Sequence, residues 1–157
     1  MVQAALIAAM YVVLTWVANL LGLANGAIQV RFSEALTILP YFTPAAIPGL
    51  FVGCLIGNIL GGAILPDIIF GSIATLIGAF FTWQLRNKGK YLAPVPPIVA
   101  NIIVVPFVLK YGYQVPLPIP FMMLTVGVGE VISAGVLGLI VYGALNKYKG
   151  IIFKKAL

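Results

Sequence analysis

The chain has 157 residues, of which 62% are hydrophobic and only 8% are charged, and its mean hydropathy is +1.15. Soluble proteins are about half apolar and about a quarter charged, so this composition excludes an ordinary water-soluble domain. A membrane-spanning helix needs about 20 apolar residues, so six helices would use about 120 and leave roughly 37 for loops and tails. The chain is therefore too short for a separate catalytic domain.

The basic residues are concentrated in two short segments. Nine Lys and Arg outnumber three Asp and Glu, which gives a net charge of +6. Most of the cations lie between or after apolar runs, at Arg86, Lys88, Lys90, Lys147, Lys149, Lys154 and Lys155. Cytoplasmic flanks of membrane helices have such an excess of Lys and Arg. We therefore expect the loop at 86–90, the C-terminal tail and both termini to be cytoplasmic, and we expect no nucleic-acid partner.

The first half of the chain predicts three helices. Residues 3–22 are uncharged and long enough to form helix 1. Helix 2 is expected to be short, about 31–42, because Pro40 and Pro44 follow closely on its start. Helix 3 is predicted over 45–62. Its glycines recur every fourth residue, a pattern that lets another helix approach closely, at Gly49, Gly53, Gly57 and Gly61.

The second half predicts three more helices. Helix 4 is expected at 66–86, with Pro66 and Asp67 in the first turn, where a proline and an acid are both favourable. Helix 5 is expected at 93–111, with a kink at Pro106. Helix 6 is expected at 119–145. The sequence contains no recognisable linker, so we expect a single domain over residues 1–157. The predicted fold class is an all-α integral membrane protein with six transmembrane helices in an S-component-like bundle and both termini cytoplasmic.

Ionisable groups inside the apolar runs are the first candidates for a binding site. A charge at the centre of a membrane helix costs about 2.5 to 3.5 kcal/mol on the insertion scale. Glu130 lies near the middle of helix 6 and is the clearest case, either facing a polar ligand or bonding to a neighbouring helix. Arg31 and Glu34 are spaced i, i+3, so they either line a ligand site or pair with each other.

Polar side chains add further candidates for substrate binding. The amides of Asn101 and Asn58 can donate and accept hydrogen bonds, as a heterocycle edge requires, or can join helices. Asp67 either lines the site or caps helix 4. Lys110 and Tyr111, with Tyr113 and Gln114, lie on an outer loop that is either a lid or an interfacial belt.

Motifs for catalysis are missing from the sequence. It has no Walker A pattern, no dinucleotide-binding fingerprint and no histidine, and Cys54 is its only cysteine. We therefore expect no enzyme, no ATPase, no metal site and no cofactor. A separate feature concerns partners, because Ala4, Ala5, Ala8 and Ala9 form two overlapping AxxxA patterns. Such patterns either serve internal packing or form a flat docking face.

Two stretches of the sequence identify a family. The segment VRFSEALTILPYFTPAAIPGLFVGCLIGNILGG, followed by PDIIFGSIATLIGA, resembles the queuosine-precursor transporter family QueT. Its most specific parts are the start of helix 2 at 31–35 and the start of helix 4 at 66–71. Proteins of this family are substrate-binding S components of energy-coupling factor (ECF) transporters.

The resemblance implies a micronutrient-capturing membrane subunit of the bacterial plasma membrane that does not pump alone. The implied ligand is a 7-deazaguanine such as preQ1 or preQ0, with Glu130 accepting N–H donors of the ring or pairing with an aminomethyl cation, and Asn101 contacting another edge. The implied partners are a membrane coupling subunit, which would dock on the alanines at positions 4–9, and two cytoplasmic ATPase subunits. The alternatives are an S component for another vitamin or heterocycle, or a small stand-alone carrier or channel.

Overall fold

The structure is a computed structural model that describes residues 2–22 and 30–148. These two ranges contain helices and no β-strand. The described helices are helix 1 (Val2–Leu20), helix 2 (Phe32–Tyr41), helix 3 (Ala46–Leu60), helix 4 (Leu65–Gln84), helix 5 (Val95–Gly112) and helix 6 (Ile119–Asn146). A turn at Arg86–Lys88 follows helix 4. The prediction of six helices is confirmed, and every helix overlaps its predicted range.

The six helices differ in their ability to cross a bilayer. Helices 1, 4, 5 and 6 are long and apolar enough to span it, whereas helix 3 has only 15 residues. Helix 2 has 10 residues in 3₁₀ geometry, so at about 2.0 Å per residue it is about 20 Å long. The hydrocarbon core is about 30 Å thick, so the expectation of six full spans is corrected to four spans and two shorter helices.

Helix 2 lies at the centre of the bundle. All of residues 33–40 are buried, and the helix contacts helices 1, 3, 4 and 6. The remaining helices pack side by side in the order 1, 3, 4, 5, 6. Helix 2 is thus covered by protein on all sides, which explains how a short helix that contains the charged residue Glu34 is accommodated within an apolar bundle.

The glycines of helix 3 face helix 1, as their spacing predicts. A side chain added at Gly53 would lie 2.7 Å from Cβ of Tyr11 and 3.1 Å from the backbone of Ala8. At Gly57 the nearest atom, Oγ1 of Thr15, is 3.4 Å away. The two backbones therefore approach more closely at Gly53 than at Gly57.

Helices 5 and 6 both leave regular α geometry. Helix 5 continues beyond Pro106 and Phe107 as a π-helix over Val108–Gly112. Helix 6 becomes a π-helix over Val131–Leu137, directly after Glu130. Pro106 cannot donate a backbone hydrogen bond, which accounts for the change of helix type at the place where a kink was expected. π segments occur frequently at functional sites.

The two ends of the bundle differ in character. At one end, the buried cluster includes Ile7, Leu39, Phe42, Ala46 and Leu50. The described cations at 86–90 and Lys147 belong to loops at this same end. Lys149, Lys154 and Lys155, and residues 23–29 between helices 1 and 2, lie outside the described residues. The opposite end contains the polar cavity described below.

The close approach of helices 1 and 3 gives a stability prediction. Gly53→Ala should destabilise the protein by about 1 to 3 kcal/mol, because the new methyl group overlaps Tyr11. Gly57→Ala is the matched control and should be neutral or mildly stabilising, since its methyl group fits and alanine favours helix. Thermal unfolding in detergent measures both variants. Equal unfolding temperatures would contradict the proposed tight contact.

Candidate functional site

A cavity of about 560 Å³ opens at the end of the bundle where helices 1, 3 and 5 end and helices 4 and 6 begin. Small-molecule sites have volumes of about 300 to 1,000 Å³. The residues lining the cavity include five candidates named from the sequence, Arg31, Asn58, Asp67, Asn101 and Tyr113. The other lining residues come from five helices and from loops, among them Thr15, Asn19, Gly57, Gly71, Val105, Val108, Met122 and Thr125.

Arg31 joins three helices at the wall of the cavity. Its guanidinium donates to Oδ1 of Asn58 at 3.2 Å, and its backbone N–H donates to Oγ of Ser133 at 3.0 Å. Arg31 is also attracted electrostatically by Glu34 and Asp67. The residue therefore holds helix 2 against helices 3 and 6.

The direct ion pair between Arg31 and Glu34, considered from their spacing, is not formed within the described residues. Arg31 has an extended backbone, with φ −114° and ψ 110°, and precedes the helix, whereas Glu34 lies inside it. The i, i+3 rule applies to two residues of the same α-helix, so it fails at this boundary.

Two carboxylates lie behind the cavity wall. Glu34 is 1% exposed and accepts a hydrogen bond from the Tyr11 hydroxyl at 2.9 Å. Glu130 is 7% exposed and makes a polar contact with the amide of Asn101, which lines the cavity. In each carboxylate Oε2 is buried and has no hydrogen-bond partner. Buried polar atoms are normally paired, so these two oxygens require an explanation.

A tyrosine and an aspartate meet at the mouth of the cavity. The Tyr113 hydroxyl donates to Oδ2 of Asp67 at 2.7 Å and accepts from the backbone N–H of Ile64 at 3.4 Å. Burial and the Asp67 carboxylate raise the pKa of Tyr113 to about 12, so the phenol remains a donor at physiological pH. Helix 4 has no side-chain cap, so the alternative of Asp67 as a capping residue is corrected.

Lys110 and Tyr111 lie outside the cavity lining. Tyr111 is 71% exposed and stacks on Phe107, and Lys110 is partly buried on the same π segment. Tyr111 borders a separate apolar groove between helices 4 and 5. Their predicted contact with substrate stays a prediction, and their positions match the interfacial alternative.

The sequence reasoning missed several polar residues of the site, among them the lining residues Thr15, Asn19 and Thr125. Two others, Tyr11 and Ser133, bond to Glu34 and Arg31. Tyr11 is fully buried in the middle of helix 1, although tyrosines of membrane helices are usually found at the interfaces. Ser133 follows Glu130 by three residues and accepts a hydrogen bond from the backbone N–H of Arg31. Two features of the sequence could have identified these residues. Tyr11 lies in the middle of its helix, and Ser133 is spaced i, i+3 from Glu130.

The alanine patterns of helix 1 separate into two faces. Ala8 is buried, and both Ala4 and Ala8 contact the glycines of helix 3. Ala5 and Ala9 are exposed on the outside of the bundle. Ala4 and Ala8 thus serve internal packing, whereas Ala5 and Ala9 belong to the outer surface of the bundle.

Comparisons with known proteins agree with the resemblance seen in the sequence. The profile described as QueT transporter matches residues 1–147. A protein of Lactococcus lactis subsp. cremoris named "Queuosine precursor transporter QueT" is 37% identical over 76 residues, which are 48% of this chain and 44% of that protein. The chain thus aligns with less than half the length of this relative. No solved structure matches significantly. The extent of the profile match shows that this multi-pass protein of the bacterial plasma membrane belongs to the QueT transporter family.

Proposed function

We propose that the chain is the substrate-binding S component of an energy-coupling factor transporter and captures a queuosine precursor, a 7-deazaguanine such as preQ1 or preQ0. The observation that supports this proposal best is a ligand-sized polar cavity at one end of an otherwise apolar bundle. The name of the Lactococcus relative supports the same class of substrate.

The shape of the interior favours capture over free passage. Arg31 lies at the cavity directly before helix 2, and the helix runs from there into the buried cluster that contains Leu39, Phe42 and Leu50. Packed side chains therefore close the path below the cavity, as expected for a binding subunit rather than an open channel.

The polar groups of the wall suit a guanine-like edge. Such a ring presents adjacent N–H donors, which a carboxylate accepts in bidentate fashion. Glu130 has one unpartnered oxygen, and Asn101 connects this carboxylate to the cavity. In the proposed complex Glu130 accepts from the ring, while Asn101 and Asn58 contact other edges and Arg31 maintains the wall.

The proposed topology follows the positive-inside rule. The loop at 86–90 and Lys147 would be cytoplasmic, together with both termini, so the cavity would open outward. The exposed alanines of helix 1, Ala5 and Ala9, would dock on a membrane coupling subunit, and two cytoplasmic ATPase subunits would supply the energy.

Titration of the detergent-purified chain with preQ1, preQ0, queuine, guanine, riboflavin and thiamine tests the proposed function. A ligand that binds the folded state raises the unfolding temperature by mass action. Selective stabilisation by the deazaguanines would support the proposal. If only a vitamin raises the unfolding temperature, the substrate is a different one. If none of the six compounds raises it, the proposed substrate class is wrong.

Replacing the buried carboxylate of helix 6 should weaken binding. Glu130→Gln preserves the size of the side chain but replaces one acceptor oxygen by an NH₂ donor, so affinity for preQ1 or preQ0 should fall about 10- to 100-fold. Isothermal titration measures the change. Lys88→Gln, at the opposite end of the bundle, is the control and should bind as the parent does. Unchanged affinity in a folded Glu130→Gln variant would refute the assigned role.

The contact at the mouth should control how long the ligand stays bound. In the proposed complex the loop at 113–118 closes over the ligand, with Tyr113 bonded to Asp67. Tyr113→Phe removes this bond and should speed ligand dissociation about tenfold. Stopped-flow displacement measures the rate, and Tyr148→Phe at the other end is the control. An unchanged dissociation rate would show that the contact does not hold the loop.

The two faces of helix 1 should respond differently to bulky residues. Ala9→Leu should leave ligand binding intact but reduce uptake at least about tenfold in cells with the coupling subunits, because the outer face is no longer flat. Ala144→Leu alters an exposed alanine of helix 6 and is the control. Normal uptake by Ala9→Leu would exclude this face as the docking surface.

A further inference from the structure

A small open space lies beside Gly71 of helix 4, on the lining of the cavity. A side chain added at Gly71 would place its Cβ 3.3 Å from Oδ1 of Asp67 and 3.5 Å from Nδ2 of Asn58. All three residues line the cavity. A ligand atom in this space would therefore reach a carboxylate oxygen and an amide nitrogen at the same time.

Both polar groups beside this space are held in place by a neighbour. Arg31 donates to Oδ1 of Asn58 at 3.2 Å, so the amide is oriented with Nδ2 toward Gly71. Tyr113 donates to Oδ2 of Asp67 at 2.7 Å, and Oδ1 is the oxygen near Gly71. The space is thus bordered by one hydrogen-bond donor and one acceptor in fixed positions.

The donor and the acceptor both have hydrogen-bonding capacity left. An amide nitrogen carries two N–H groups, and Nδ2 of Asn58 contacts only the weak acceptor Sγ of Cys54, at 3.6 Å, among the described residues. Within the same part of the chain, Oδ1 of Asp67 accepts no hydrogen bond. Asn58 is 6% exposed, and a side chain so buried is normally fully paired.

One kind of ligand group matches this pair. A hydroxyl oxygen donates one hydrogen bond and accepts others, so a single atom can donate to Asp67 and accept from Asn58. A protonated amine only donates, and a carbonyl oxygen only accepts, so each would leave one of the two residues unsatisfied. The space beside Gly71 therefore has the chemistry of a hydroxyl site.

We propose that this space is a hydroxyl-binding subsite of the cavity, with Gly71 as the specificity-determining residue and with Asp67 and Asn58 as the hydrogen-bonding partners. The choice of ligand rests on the proposed function. Within that class, the subsite assigns as preferred ligand a 7-deazaguanine whose substituent carries hydroxyl groups, as in queuine. The cavity volume of about 560 Å³ lies in the range for drug-sized ligands, so there is room for a substituent beyond the bicyclic ring.

Two ligands that differ only in hydroxyl groups test the inference. Queuine carries a cyclopentene ring with two hydroxyl groups on its aminomethyl nitrogen, and the dideoxy analogue has hydrogen atoms in their place. Both compounds have the same deazaguanine ring and the same amine. Isothermal titration of the full chain in detergent should give queuine an affinity at least about tenfold higher than that of the dideoxy analogue, because its hydroxyl bonds to a charged acceptor.

Two variants test the assignment to this space. Gly71→Ala places a methyl group in it and should abolish the preference for queuine, while preQ1, which has no hydroxyl group, still binds measurably and shows that the variant is folded. Asp67→Asn keeps the size of the side chain but removes the charged acceptor, so it should reduce the preference. Gly143→Ala is the matched control. It alters a glycine of helix 6 whose added methyl group meets no atom of the described residues, so all three affinities should stay unchanged.

The outcomes separate this inference from the proposed function. Equal affinity for queuine and the dideoxy analogue, or binding of preQ1 without binding of queuine, would overturn the inference and leave the proposed function standing. A preference that persists in both Gly71→Ala and Asp67→Asn would overturn the assignment to this space. If none of the three deazaguanines binds, the proposed function fails, and the inference fails with it.

Discussion

The cost of placing charge in hydrocarbon is the constraint on which this bundle depends. Helix 2 and the residue before it place Glu34 and Arg31 in an apolar protein, where each needs polar partners. Helix 1 supplies the Tyr11 hydroxyl to Glu34, whereas helices 3 and 6 supply the Asn58 amide and the Ser133 hydroxyl to Arg31. Helices 1, 3 and 6 thus each contribute one polar group that bonds to Glu34 or Arg31.

Close packing is what brings those polar groups within reach. The glycines of helix 3 let helix 1 approach closely at Gly53. One turn later along helix 3, Gly57 lines the cavity. Gly78 of helix 4 similarly lies against Pro97 of helix 5, and Gly127 of helix 6 against Ile102. The same small residues therefore define the packed part of the bundle and the spacing of the cavity walls.

Residue type and depth in the membrane predicted much of this arrangement, whereas rotation about the helix axes could not be predicted. An acid, an arginine and two asparagines inside apolar runs are costly, so Glu130, Arg31, Asn58 and Asn101 were identified from the sequence, and all four lie at or directly behind the cavity wall. Which alanines of helix 1 face inward depends on packing against helix 3. The 3₁₀ geometry of helix 2 and the π segment after Glu130 likewise depend on tertiary contacts, so spacing rules for regular α-helices misplaced Arg31 relative to Glu34.

The closed interior also bears on how a captured ligand would be released under the proposed function. Below the cavity lie helix 2 and the packed side chains around Leu50, and a passage through them would require several buried contacts to open together. A movement of the whole bundle relative to the membrane leaves those contacts intact. Under the proposed function, the partner subunits would supply the work for such a movement. The packed floor therefore fits the proposed role, in which the chain binds its ligand and the partner subunits bring about release.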